Sequence, residues 1–233
     1  MSIYAIADLH LSFSNPKPMD IFGDNWIDHE TKIKEDWLSK VKEDDLVILP
    51  GDFSWAMNLE DTYKDFEYLN NLPGRKIMLK GNHDYWWNSI TKLTNFLRAN
   101  DFNNIDFLYN NAYEFEDKII AGTRGWGLTP NEENDETVIR RELLRLEFSI
   151  NEGIQKYGKN KEIIVCMHYP PTNKVLLENS DSMKIMQKYN VSTCLYGHLH
   201  GESHKEAVEG NIGGINVKLV SSDYLNFKLE KIS

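Results

Sequence analysis

The chain has 233 residues and a formal net charge of −10. Its length fits one sizeable domain, residues 1–233, and a hydrophobic content of 41% can fill a real core without disulfide or metal staples. The acidic balance argues against a broad electrostatic grip on nucleic acid or on an anionic membrane, and leaves room for a small anionic substrate held by metal ions.

The N-terminus runs through an apolar stretch, 3–7, with no charged leader before it. No segment approaches the roughly 20 apolar residues of a membrane span, so a cytoplasmic protein without a membrane segment is expected. Residues 11–29 contain Pro16, Pro18 and Gly23 and read mostly as loop. Amphipathic stretches predict helices over 31–41, 59–69 and 89–99, interleaved with apolar strands over 46–49 and 76–79. Residues 106–109 and 112–115 read as a hairpin-like pair around Asn110-Asn111. A strand over 119–121 follows, then a long helix over 134–157. In that helix Ile139, Leu143, Leu146, Ile150, Ile154 and Tyr157 make a stripe at three- and four-residue steps, and Gly158 provides the stop. The acidic run at 132–136 suits a helix start. Strands over 163–167 and 193–196 come next, and the tail, 215–220 then 226–229, alternates as antiparallel strands with one solvated face would. Cys166 and Cys194 lie in apolar runs and read as buried, reduced thiols. Strands alternating with helices, without repeat or linker, define an α/β layer architecture with no domain boundary.

Five short motifs end predicted strands in residues able to ligate metal. They are Asp8-Leu9-His10, Gly51-Asp52, Gly81-Asn82-His83-Asp84, Met167-His168 and Gly197-His198-Leu199-His200. Five of the seven histidines fall within them, whereas random placement would scatter them. The carboxyl ends of parallel strands are where α/β folds bind ligands. Asp8 and His10 are two apart, so on an extended segment both point to one side and reach one metal; His198 and His200 repeat the spacing. Gly51 and Gly81 allow tight turns before the ligands. Mixed nitrogen and oxygen donors without thiolate argue against a structural zinc site, and suit Mn, Fe, Zn or Ni.

On these motifs the sequence resembles the calcineurin-like metallophosphoesterase superfamily, from Asp8 to His200. The resemblance implies an α/β (α+β four-layer) fold, a central β-sandwich of mixed sheets flanked by helices. It implies two divalent or mixed-valence metal ions, Mn foremost. Asp8, His10 and His200 would hold one metal and Asn82, His168 and His198 the other, with Asp52 bridging. His83 would be the catalytic histidine, and Asp84 its hydrogen-bonded partner or, alternatively, a turn cap. The implied activity is hydrolysis of a phosphoester, a small phosphomonoester or phosphodiester including nucleotides, by in-line attack of a metal-bridging hydroxide. A nuclease on the same scaffold is disfavoured by the absence of a basic stripe. A metal-binding interaction scaffold is disfavoured because no ligand is missing.

Substrate choice is left to the loops. Arg124, between glycines after a strand, is placed to fork onto a phosphate, with an ion pair as the alternative. Trp55 follows Asp52 closely and is a candidate to stack on a base; Phe22, Trp26, Trp86 and Trp87 are read as stacking surfaces or core. Arg140, Arg141 and Arg145 read as a solvated or ion-paired helix face, and His29 and His204 as ordinary surface or loop residues. Oligomeric state is open.

Overall fold

Successive strand residues point to opposite faces of a sheet, so a strand that is apolar throughout needs cover on both sides. That cover organises the molecule, a computed structural model that describes residues 1–127 and 136–233. Four parallel strands form the first sheet: β1 (Ile3–Ala5), β2 (Leu46–Leu49), β3 (Arg75–Met78) and β4 (Ile105–Phe107). The second sheet has six: β5 (Tyr113–Phe115), β6 (Lys118–Thr123), β7 (Glu162–Met167), β8 (Thr193–Tyr196), β9 (Gly210–Ile212) and β10 (Ile215–Leu219), ordered β5-β6-β7-β8-β10-β9. Within it β6, β7, β8 and β10 are parallel and the two edges antiparallel. The last strand, β11 (Glu230–Lys231), returns to the first sheet and pairs antiparallel with β1.

Alternation along β1 sorts the layers. Ile3 and Ala5 face a core shared with Ile48, Ile77, Ile120, Ile164 and Leu195, which lies between the sheets. Tyr4 points the other way, with Val47 and Met78, onto helices α1 (His29–Lys40), α2 (Tyr63–Asn70) and α3 (Ile90–Ala99). On the far side Ile119, Val165 and Cys194 pack under α4 (Glu136–Tyr157) and α5 (Asp181–Lys188). The result is two mixed sheets with flanking helices, as the sequence led us to expect. Both cysteines are buried free thiols, and no helix among the described residues is long and apolar enough to cross a membrane.

Three expectations are corrected. The hairpin over 106–115 does not exist: β4 joins β3 in one sheet and β5 joins β6 in the other. The connection is stitched by side chains, with Asn111 Nδ2 and the Tyr113 hydroxyl both donating to Phe107 O at 3.2 and 2.9 Å, while Asn110 takes a left-handed turn. In the tail, β10 runs parallel to β8, and residues 226–229 are no strand, because Asn226 and Phe227 both have positive φ. Helix α5 was not anticipated: it is short, and only Met183 and Met186 bury its apolar face. Its start is capped by Ser180, whose side chain accepts from Met183 N. The predicted start of the long helix at 134, and the acidic run at 132–135, lie outside the described residues.

Lys76 is fully buried on β3, its ammonium donating to Leu72 O and lying 5.9 Å from the Trp37 ring. Burial lowers its pKa from 10.5 to about 7, with Glu43 opposing the shift. Between those values the unfolded chain binds the extra proton, so Lys76 weakens the fold below about pH 7 and the penalty fades as pH rises toward 10.5. Lys76→Met should therefore raise the melting temperature at pH 6 and flatten its rise between pH 7 and 10. Parallel pH profiles for the two proteins would contradict this.

Candidate metal centre

Every predicted ligand lies just past the carboxyl end of a parallel strand: Asp8 and His10 after β1, Asp52 after β2, Asn82 after β3, His168 after β7, His198 and His200 after β8. The sheets are joined at this end. Ala7 N donates to Val220 O at 2.7 Å and His198 N to Asp8 Oδ2 at 3.0 Å. The ligand loops are sharply bent rather than extended. Asp8, His10, Asp52 and His198 all have positive φ, between 46° and 73°, a backbone that L residues seldom adopt and that functional sites often hold under strain. Asp8 and His10 thus reach one side through two left-handed residues, not through strand alternation. His198 and His200 do not share a site: the left-handed turn at His198 sends it to Asn82 and His168, while His200 goes to Asp8 and His10. Gly81 is needed for close approach and not for a turn. A Cβ there would lie 2.0 Å from Asp52 Oδ1.

Two groups of donor atoms result, Asp8 with His10 and His200, and Asp8 with Asp52 and His168, each with its atoms within 4.8 Å of one another. His10 Nε2 and His200 Nε2 face each other at 3.4 Å. Asp52 spans the groups, Oδ2 lying 3.7 Å from His10 Nε2 and Oδ1 3.6 Å from His168 Nε2. His168 Nε2 and His198 Nδ1 both aim at Asn82 Oδ1, at 2.6 and 2.9 Å.

These atoms fit metal cations. His168 Nδ1 donates to Pro50 O at 2.9 Å; a carbonyl only accepts, so the proton is on Nδ1 and the Nε2 lone pair faces the Asn82 oxygen, itself an acceptor. Burial lowers the pKa of His168, so the ring is neutral. His200 Nδ1 likewise donates to Asp223 Oδ1 at 2.8 Å, aiming Nε2 at His10. Burial disfavours the His200 imidazolium, but the Asp8 and Asp223 carboxylates outweigh it and hold its pKa up to about 10; a cation would take the place of that proton. Burial and the nearby Asp8 push Asp52 up to about 8, a like-charge repulsion that bound cations would relieve. Without a cation the cluster holds protons on His200 and Asp52, and a metal ion would displace them and meet the freed lone pairs.

His83 stands beside this cluster, its ring centroid 5.8 Å from that of His10 and 4.6 Å from Trp55. Its Nδ1 lies 3.4 Å from the Tyr85 hydroxyl. Burial, with His168, Lys17 and His200 adding repulsion, lowers its pKa to about 4, so the ring is neutral near pH 7. Asp84 does not orient it. Its oxygens accept from the backbone N–H groups of Asp52, Phe53 and Gly81 at 2.7–3.0 Å and from Trp86 Nε1 at 3.0 Å, tying two ligand loops together. The turn-cap alternative is the one the structure adopts. Trp55 is not a free platform either: one face stacks on His10 at 4.7 Å, and the Lys17 ammonium covers its ring at 3.2 Å. It braces His10, whose buried Nδ1 has no hydrogen-bond partner among the described residues. Trp26 is buried with its ring 5.9 Å from His10 and 5.7 Å from His200, and Trp86 is core, whereas Phe22 is exposed. Arg145 pairs with Glu142, as a helix-face arginine was expected to do.

Three further residues matter. Asp223 anchors both the His200 ring and Gly201 N, the latter at 3.0 Å. His204, expected at the surface, lies with Nε2 3.2 Å from Asp223 Oδ2. His29, also expected at the surface, is buried, wedged between Leu9 O and Trp26 O at 3.1 and 3.2 Å, and so pins the first ligand loop. None carries a motif, though the position of Asp223 just after the last central strand was a usable signal.

A histidine–carboxylate cluster at the joined ends of two stacked sheets defines a metal-dependent hydrolase. The chain belongs to the calcineurin-like phosphoesterase family, whose model matches residues 1–202. It is similar in fold to a protein of unknown function, AQ665, from Aquifex aeolicus, with 19% identity, a TM-score of 0.53, and coverage of 99% of this chain and 95% of that one. Phosphopantetheinyl hydrolase (PptH) from Mycobacterium tuberculosis is similar at 12% identity and a TM-score of 0.56, covering 99% and 95%. TT1561 of Thermus thermophilus is similar at 14% identity and a TM-score of 0.57, covering 98% and 96%. No curated protein matches the chain significantly.

Removing the anchor of His200 tests the geometry. Asp223→Ala should weaken Mn²⁺ binding by about 10–100-fold in calorimetric titration, the usual cost of losing a carboxylate behind a ligating histidine, with the circular dichroism spectrum retained. Unaltered affinity would show that His200 needs no such support.

Proposed function

We propose that residues 1–233 form one phosphoesterase domain that hydrolyses a small phosphomonoester or phosphodiester, nucleotides included, with two divalent cations. Asp8, His10 and His200 hold one cation, Asn82, His168 and His198 the other, and Asp52 lies between them. The observation that carries this reading is the convergence of acceptor atoms, above all the His168 Nε2 lone pair facing Asn82 Oδ1 at 2.6 Å. When bound, two such cations neutralise phosphate oxygens and make water acidic enough to be a nucleophile near neutral pH. Mn²⁺ is the favoured metal, because the donors mix imidazole nitrogen with hard oxygen. The structurally similar M. tuberculosis protein is named a phosphopantetheinyl hydrolase, which fits a phosphoester substrate here.

The chain's own residues supply orientation. Pro50 O and Asp223 hold Nδ1 of His168 and His200, so Nε2 of each ring points inward, as a lone pair on His168 and with a proton that a cation would replace on His200. Asp84 locks the Asp52 loop to the Asn82 loop, which keeps the two halves of the site in register. His83, neutral and beside the cluster, offers an N–H to the ester oxygen that leaves. Trp26 and Trp55 wall the His10 side with apolar rings and restrict water there.

Metal-stripped protein should be inactive on bis-p-nitrophenyl phosphate and regain turnover with added Mn²⁺. His83→Ala should lower kcat by roughly 10²–10⁴-fold, the usual contribution of a positioned proton donor, while still binding two Mn²⁺ per chain. Full activity in that variant would remove His83 from the mechanism, and metal-independent turnover would remove the cations.

A further inference from the structure

Beside the metal ligands lies a recess of about 140 Å³ whose charge the reaction above does not use. Lys80 and Arg124, at the carboxyl ends of β3 and β6, line it with Trp87, Tyr109, Glu142 and Arg145. Lys80 and Arg124 are each partly buried, and among the described residues no carboxylate pairs with either. The Arg124 guanidinium stacks on Trp126, 4.8 Å from the ring centre, which fixes its plane without neutralising it. Glu142 is occupied: Thr123 Oγ1 donates to its Oε2 and Arg145 Nη1 to its Oε1, both at 2.6 Å. Three cations against one carboxylate leave the recess positive in a chain whose net charge is −10.

The carboxylates of Asp84 and Glu142 act on Lys80, and that of Asp52 on Arg124, without direct pairing. Cations partly withdrawn from water and not directly paired are costly, so two kept this way leave room for an anion that arrives from outside. The recess shares its backbone with the metal centre. Arg124 O accepts from His168 N at 3.1 Å and from Tyr169 N at 3.0 Å. Lys80 precedes Asn82 by two residues, a backbone span of at most about 7 Å. A guanidinium fork next to a compact ammonium suits the oxygens of a phosphate-class anion.

We infer that this recess is a second anion subsite, and that the substrate carries, besides the phosphoester that is cut, a further phosphate-class group held by Lys80 and Arg124. The inference rests on the phosphoesterase reading and names the substrate class that reading leaves open.

Crystals of the Mn²⁺-loaded protein soaked in tungstate separate the two. Two anion peaks are expected, one over the metal ligands and one within reach of Lys80 Nζ and the Arg124 guanidinium, the second lost in the Lys80→Met/Arg124→Met variant. A peak over the metal ligands alone overturns the subsite and leaves the phosphoesterase reading standing; a peak in the recess alone does the reverse. In solution, the wild type should cleave thymidine 5′-(p-nitrophenyl phosphate) with a kcat/KM about tenfold or more higher when the nucleoside also carries a 3′-phosphate, as two charge-assisted contacts imply. The double variant should lose that preference. Equal efficiency on both esters in the wild type, or a preference that survives the double substitution, would overturn the proposed substrate class.

Discussion

Lone pairs held face to face repel unless a positive charge lies between them, and the two sheets of this protein meet where such lone pairs accumulate. The His168 lone pair opposes the Asn82 amide oxygen, the Nε2 atoms of His10 and His200 meet with a proton on His200 that a cation would replace, and Asp8 and Asp52 lie buried within the same cluster. In water each atom would turn to a solvent proton. Here the rings cannot turn, because His168 and His200 are each fastened through the other nitrogen to Pro50 O and Asp223. The fold thus stores an electrostatic demand that cations answer, and metal binding is coupled to the stability of the joined sheet ends.

That demand accounts for features which otherwise look like defects. Four candidate ligands occupy left-handed backbone although none is glycine, a cost of about 1 kcal/mol or more each. Asp84, buried and raised in pKa to about 6 by burial and by Asp52, is retained because it gathers the N–H groups of two loops that have no strand partner at that point. Gly81 gives up a side chain so that Asp52 can come close enough to serve both halves of the cluster. Strain, a buried carboxylate and a missing Cβ accompany the gathering of seven candidate ligands from two sheets in one place.

The central strands, and the gathering of the candidate ligands at their carboxyl ends, were legible because both are local signals. A continuous apolar run such as 46–49 announces a strand covered on both faces, and Gly-Asn-His-Asp after such a run announces a site. What was not legible depends on neighbours distant in the chain. Spacing alone set His198 and His200 on one side, where the resemblance had already separated them, and the turn at His198 sends it to Asn82 while His200 joins Asp8 and His10. Asp84 looks equally suited to orienting His83 or capping a turn until the Asp52 loop, 32 residues earlier, is seen to donate to it. Asp223 is 23 positions from the ring it anchors. The supposed hairpin at 106–115 failed for a related reason: either segment pairs better with a strand already in a sheet than with the other.

Anomalous diffraction at the manganese edge, from crystals of the chain loaded with Mn²⁺, tests the central claim most directly. The account predicts two peaks about 3.5–4 Å apart, one touched by Asp8, His10 and His200, the other by Asn82, His168 and His198, with Asp52 reaching both. A single peak, or none between these side chains, would contradict it.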